Sequence, residues 1–195
     1  SNKYYAPDGA WYEGPGYWSY ATEYLSYAMS AMQSALGNMG NLESTKGLEN
    51  AGYVPMICAG PSNLILNFAD SGENSKATTS PAMLFLSNVY NKPLIANYLH
   101  AYIKSSNALA NPFHVLWYKT PTLEPLNMPL DQYLDGEINE LVLLRSSWTD
   151  PNATWIGMKS GVNSSPHAHL DLGNFELMVY PHDSIVFTYV GYKRN

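Results

Sequence analysis

The hydrophobic period of this 195-residue chain changes about two thirds of the way along it. Up to about residue 118, apolar residues recur every three to four positions, as in helices that pack on one face. After about residue 137 they occur in short runs bounded by turn residues, which is typical of strands. Helices followed by strands favour an α+β fold. The sequence predicts a helical part over residues 1–118, a linker over 119–137 and an antiparallel sheet over 138–195.

The longest helical pattern covers residues 17–36. Because it is apolar nearly all round, we expect a buried helix that ends at Gly37. Other predicted helices cover residues 43–59, 80–105 (as a pair) and 111–118, with a short strand near 64–68. Four further strands are predicted over residues 140–147, 154–159, 174–180 and 184–189.

Composition excludes several classes of protein. With 10 basic and 16 acidic residues, the net charge of −6 argues against a nucleic-acid-binding protein. No apolar run approaches the roughly 20 residues of a membrane span. The single cysteine, Cys58, can form neither an internal disulfide nor a cysteine-rich zinc site. The 16 tyrosines and five tryptophans suit either sugar-ring stacking or ordinary packing, and composition does not separate the two.

The first candidate functional motif surrounds Gly14-Pro15-Gly16, directly before the long helix. This turn is expected to hold Glu13 and Tyr17 near the helix N-terminus, where free N–H groups favour negative charge. A purely structural cap made of packed aromatic residues fits the same residues.

The second candidate motif is His167-Ala168-His169-Leu170-Asp171. On an extended segment, alternate residues share one face, so both histidines and Asp171 can point the same way. Two histidines and a carboxylate suit a metal ion or a general base. A His-x-His pair also arises by chance, and the spacing alone leaves both readings open.

The chain resembles the heparinase II/III-like polysaccharide lyases in four segments in the same order, DGAWYEGPGYWSYATEY, GPSNLILNFADSGE, LLRSSWTDPNATWIGMKSG and SPHAHLDLGNFEL. The resemblance runs from about residue 7 to about residue 178. It implies an (α/α) toroid followed by an antiparallel β-sandwich. The chain would then hold the C-terminal helices of an incomplete toroid and the start of the sandwich, as part of a longer lyase.

The activity that this resemblance implies is β-elimination at a uronic acid within an acidic polysaccharide. Tyr17 corresponds to the catalytic tyrosine of the family, and His167 to a histidine at the active-site cleft. Glu13, Trp18 and Tyr12 are expected to contribute to the substrate-binding cleft.

The resemblance also implies a structural zinc ion, with His169 as a ligand. The family's second ligand, an aspartate, is replaced here by Phe187, although His182 and Asp183 lie nearby in the sequence. Arg145 and Trp148 belong to a framework motif of the family and are expected to be structural.

The resemblance further implies export to the periplasm or secretion, and incomplete domain edges predict self-association. Two alternatives remain open. One is a glycoside hydrolase with Asp8 and Glu13 as its carboxylate pair. The other is a catalytically inactive chain that binds glycans.

Overall fold

The computed structural model describes residues 4–5, 7–72, 75–122, 126–136, 138–164, 167–179 and 182–187, the last range for its backbone only. Helices occupy the first part and one antiparallel sheet the second, so the predicted α+β class is confirmed. The assignments to a toroid and a sandwich remain predictions. Within the described part of the chain, no helix combines the length and apolar character needed to cross a bilayer.

The long helix α1 (Gly14–Leu36) begins three residues earlier than predicted. It ends at Gly37, whose left-handed φ of 74° closes the last turn onto the Gln33 carbonyl, as the sequence indicates.

The expectation that α1 is buried all round is wrong. Its buried side is a narrow stripe that includes Trp18, Thr22, Ser26 and Met29, whereas tyrosines lie on its exposed side. Two stripe residues are polar, and their hydroxyl groups are paired: Thr22 with the Tyr5 hydroxyl at 2.9 Å, and Ser26 with the Thr22 carbonyl at 2.8 Å. Because this buried stripe contains polar residues, the pattern of apolar residues in the sequence does not predict it.

The remaining helices are shorter. The stretch predicted as one helix over 43–59 is divided by Gly47, which has a φ of 85°, and by Gly52. The other helices are α2 (Leu48–Ala51), α3 (Val54–Ile57), α4 (Ala82–Val89), α5 (Pro93–Ser106) and α6 (Pro112–Leu116).

The strand predicted near 64–68 differs from the structure. Leu64 and Ile65 form isolated β-bridges there rather than a continuous ladder.

Over the described residues, the sheet contains five antiparallel strands in sequential order. They are β1 (Asp131–Gly136), β2 (Asn139–Arg145), β3 (Trp155–Lys159), β4 (Phe175–Val179) and β5 (His182–Phe187). Strand β1 falls inside the segment predicted as a linker, because its polar sequence DQYLDG lacks the apolar alternation of a half-buried strand. On the inner face, Leu141, Leu143, Trp155 and Met178 are all at most 3% exposed.

Buried residues of the helical part and of the sheet belong to the same hydrophobic core cluster. Polar contacts also cross between them. The Asn67 N–H donates to Glu176 Oε1 at 2.8 Å, and the Asp135 N–H donates to Asp8 Oδ2 at 2.6 Å. The predicted boundaries at 118 and 137 remain predictions, but the segments they separate pack against each other.

Candidate functional site

The entry to α1 is fixed by a close backbone approach at Gly14. Its φ is 87°, and a Cβ at this position would lie 2.4 Å from Ser71 Oγ and 2.7 Å from the Phe68 carbonyl oxygen. The Gly16 N–H donates to Ser71 Oγ at 3.3 Å. Only glycine permits this contact, which attaches the first turn of α1 to the loop at residues 68–71.

Asp70 lies in that loop, one residue before Ser71, and it is the site residue that sequence reasoning missed. It lies within the segment GPSNLILNFADSGE that resembles the lyase family, but the turn sequence Asp70-Ser71-Gly72 indicates only the end of a strand. Its carboxylate is aimed at the histidine motif: Asp70 Oδ2 lies 2.6 Å from His167 Nδ1.

His167 joins the two candidate motifs. Its Nε2 lies 3.3 Å from Glu13 Oε1, while its Nδ1 contacts Asp70. The Glu13 side chain is 14% exposed and that of His167 is 53% exposed, so the ring is accessible while its carboxylate partner is largely covered. Trp11 Nε1 donates to the other oxygen of this carboxylate, Glu13 Oε2, at 3.3 Å and so helps to hold it in place.

The two ring contacts limit what His167 can do. A neutral imidazole carries one N–H, so both contacts are hydrogen bonds only when the ring carries both protons. The geometry places the ring between two carboxylates, each within 3.3 Å of one ring nitrogen.

The prediction that His167, His169 and Asp171 share one face is wrong. His167 has a left-handed φ of 58°, which is incompatible with an extended segment. His169 Nε2 lies 3.8 Å from Asp70 Oδ1, on the same side as His167. Asp171 instead pairs with the Lys159 ammonium group.

The Lys159–Asp171 pair anchors the loop that carries His167. Lys159 is 1% exposed, and its backbone also accepts from the Gly173 N–H at 2.8 Å and donates to the Asn174 carbonyl at 3.0 Å. The pair is positioned at the end of β3, so the sheet holds the histidine loop against the start of α1.

The other predicted site residues lie at different depths. Tyr17 lies one helical turn after Glu13 and is 44% exposed, so its hydroxyl-bearing ring is accessible. Tyr12 is partly buried, and burial together with the neighbouring Glu13 charge raises the pKa of its hydroxyl. Trp18 is fully buried in the core, so it supports α1 rather than offering a surface to a ligand.

Three possible metal ligands converge in the site. One oxygen each from Glu13 and Asp70 and one nitrogen from His167 lie within 4.8 Å of one another, an arrangement that could hold a metal ion. Among the described side chains, His169 lies near Asp70 Oδ1, at 3.8 Å, and the zinc site that the resemblance implies for His169 remains a prediction. The side chains of His182, Asp183 and Phe187 lie outside the described part of the structure.

Asp8, the alternative hydrolase residue, lies against the sheet. Its Oδ2 accepts the Asp135 N–H, and burial raises the pKa of its carboxyl group. Glu13, the other member of that predicted pair, is occupied by His167 and Trp11.

Comparison with known proteins gives a likeness in structure. No family model matches the sequence, and no curated protein matches it. Among solved structures, the heparinase III-BT4657 gene product is similar, with a TM-score of 0.64 and 18% sequence identity. The likeness covers 95% of this chain and 27% of that chain, so the present sequence spans about a quarter of its neighbour. At this identity the comparison shows a heparinase-like fold relationship.

Proposed function

We propose that the chain carries part of the active site of an exported polysaccharide lyase that acts on uronic-acid-containing glycans. The observation that carries the proposal is the convergence of Glu13, Asp70 and His167, from three distant segments, with the exposed Tyr17 one helical turn after Glu13. The fold relationship to a heparinase III supports it.

The reaction is a β-elimination. A base removes the proton on C5 of the uronate, the bond between C4 and its glycosidic oxygen breaks, and a C4–C5 double bond forms. The departing oxygen takes a proton from an acid. The difficult step is the build-up of negative charge on the uronate carboxylate, which the site must stabilise.

Tyr17 is the proposed proton-transfer residue. Its accessible hydroxyl can protonate the departing oxygen, and as a phenolate it can accept the C5 proton. A glycan chain that reaches Tyr17 meets the α1 surface that also exposes Tyr20 and Tyr24, whose ring centroids lie 4.9 Å apart. These rings offer faces on which sugar units can stack.

His167 is the proposed electrostatic partner. We assign it a contact to the uronate carboxylate, which replaces Glu13 at Nε2, the longer of the two ring contacts, rather than the removal of the C5 proton. Asp70, 2.6 Å from Nδ1, holds the ring in place. A metal ion at the same three ligands would supply positive charge instead, and sensitivity of the activity to a chelator separates these two forms of the site.

The test uses the full-length form of the chain with heparan sulfate, alginate and related uronans. A lyase produces new ultraviolet absorbance from the unsaturated uronate. Tyr17→Phe should lower the rate by about 100-fold or more with the fold intact, since it removes the proton-transfer group. Tyr20→Phe, one turn further along α1, is the matched control and should retain most of the activity. Absence of absorbance with every uronan would contradict the proposal.

A glycoside hydrolase is the second candidate, supported by one observation. The raised pKa of the Asp8 carboxyl group suits a general acid, which is one half of a hydrolase pair. Asp8→Asn distinguishes the two candidates, because a hydrolase should lose activity with this substitution while a lyase centred on Tyr17 should keep it.

A further inference from the structure

A cavity lies between α5 and the loop that connects β2 to β3. Its volume is about 490 Å³, within the range of about 300–1,000 Å³ common for small-molecule sites. Residues that line it include Tyr98, Tyr102, Arg145, Trp148 and Asp150. The Glu13, Asp70 and His167 side chains are not among its lining residues.

Arg145 provides a positive charge that the described part of the protein does not neutralise. Its Nη2 donates to the carbonyl oxygens of Ile57 and Ala59 at 3.0 and 3.1 Å, and its guanidinium carbon lies 3.5 Å from the centre of the Trp148 ring. Among the described residues, no carboxylate forms an ion pair with it and its Nε and Nη1 have no acceptor. Burial lowers its pKa to about 10, so it remains a cation at neutral pH.

The groups beside Arg145 suit a ring that carries a carboxylate. Tyr98 lines the same cavity as Arg145, and its ring lies 6.3 Å from that of Tyr102 at an angle of 19°. A guanidinium edge recognises a carboxylate through two parallel hydrogen bonds, and a tyrosine hydroxyl can donate a third. Asp150, on the same cavity, is exposed and disfavours ligands with several negative charges.

We propose that this cavity is a separate glycan-binding site in which Arg145 and Tyr98 bind the carboxylate of a single uronic acid residue. The choice of a uronic acid, among ring carboxylates, rests on the proposed function. The site would hold a chain that is cleaved elsewhere on the protein, and Arg145 would act in binding as well as in the framework role expected from its sequence motif.

The test is a titration of the full chain with glucuronate, observed through the arginine side chains. The sequence contains two arginines, Arg145 and Arg194, so the Nε–H region of a nitrogen-15 spectrum contains one test signal and one internal control. Arg194→Lys identifies which signal belongs to Arg145. We expect glucuronate to shift the Arg145 signal in a saturable manner and to leave the Arg194 signal in place.

Acetate and methyl glucoside are the matched probes, one with the carboxylate alone and one with the sugar ring alone. Both should bind at least about tenfold more weakly than glucuronate if the ring and the carboxylate act together. Acetate binding as tightly as glucuronate would overturn the proposal, because the site would then recognise any carboxylate. Equal shifts of both arginine signals, or no shift with glucuronate, would also overturn it.

Tyr98→Phe tests the site without removing the Arg145 contacts to the framework. It should weaken glucuronate binding about five- to tenfold, the effect of one hydrogen bond, with an unchanged thermal unfolding midpoint. Tyr133→Phe, on exposed β1, should leave binding unchanged. Unaltered affinity in Tyr98→Phe would contradict the assigned role. Glucuronate is not a substrate for elimination between sugars, so binding can persist even where the lyase proposal fails.

Discussion

The His167 cluster and the Arg145 cavity differ in the groups that contact their basic side chain. At the first, two carboxylates from distant segments hold one imidazole ring. At the second, a guanidinium is held by backbone carbonyls and an indole ring, with no carboxylate partner among the described residues. The first arrangement fixes the orientation of an imidazole ring, and the second leaves a guanidinium group without a carboxylate partner in the described part of the chain. We propose that the first serves the elimination and that the second binds an anionic ligand.

The largest effect should come from the anchor beneath the first site. Asp171→Ala leaves the buried Lys159 ammonium group unpaired and should lower the free energy of unfolding by about 3–5 kcal/mol. Denaturant unfolding measures this. The double variant Lys159→Met/Asp171→Leu should recover most of the stability, because it removes both charges. A loss below about 1 kcal/mol in the single variant would show that the pair does not anchor the loop.

The next effect tests the close approach that positions Glu13. Gly14→Ala should destabilise the chain by at least about 1 kcal/mol more than Gly37→Ala, because both have positive φ but only Gly14 has backbone within 3 Å of an added Cβ. Thermal and denaturant unfolding of the two variants give the difference. Equal losses would show that the attachment of α1 to the 68–71 loop can relax at little cost.

The smallest effect concerns Cys58, which lies behind the Arg145 cavity. Arg145 lowers the pKa of this thiol, but burial outweighs it and raises the pKa to about 12. The thiol should therefore react with iodoacetamide at pH 8 at least about 100-fold more slowly in the native chain than in urea. Arg145→Lys should leave that ratio large. Fast native alkylation would mean that the cavity opens to the thiol, and would weaken the contrast between the two regions.

The sequence predicts the α+β order, the start and end of most elements and the two motifs that meet at the site. It does not predict Asp70 as a partner of His167, because that contact joins two loops that are far apart in the sequence and lie in different predicted domains. The left-handed conformation of His167 also separates it from Asp171, which alternation along a strand had placed beside it. Strand β1 is missed because pairing with β2, rather than its own apolar pattern, makes it a strand.

The most direct test of the lyase proposal is whether oxygen from water is incorporated into the products. The full-length chain is incubated with a uronan in oxygen-18-labelled water, and its products are analysed by mass spectrometry. We predict unsaturated products without incorporated oxygen-18, formed in amounts that fall with Tyr17→Phe and not with Tyr20→Phe. Saturated products that carry the label at a new reducing end would contradict the account and identify a hydrolase.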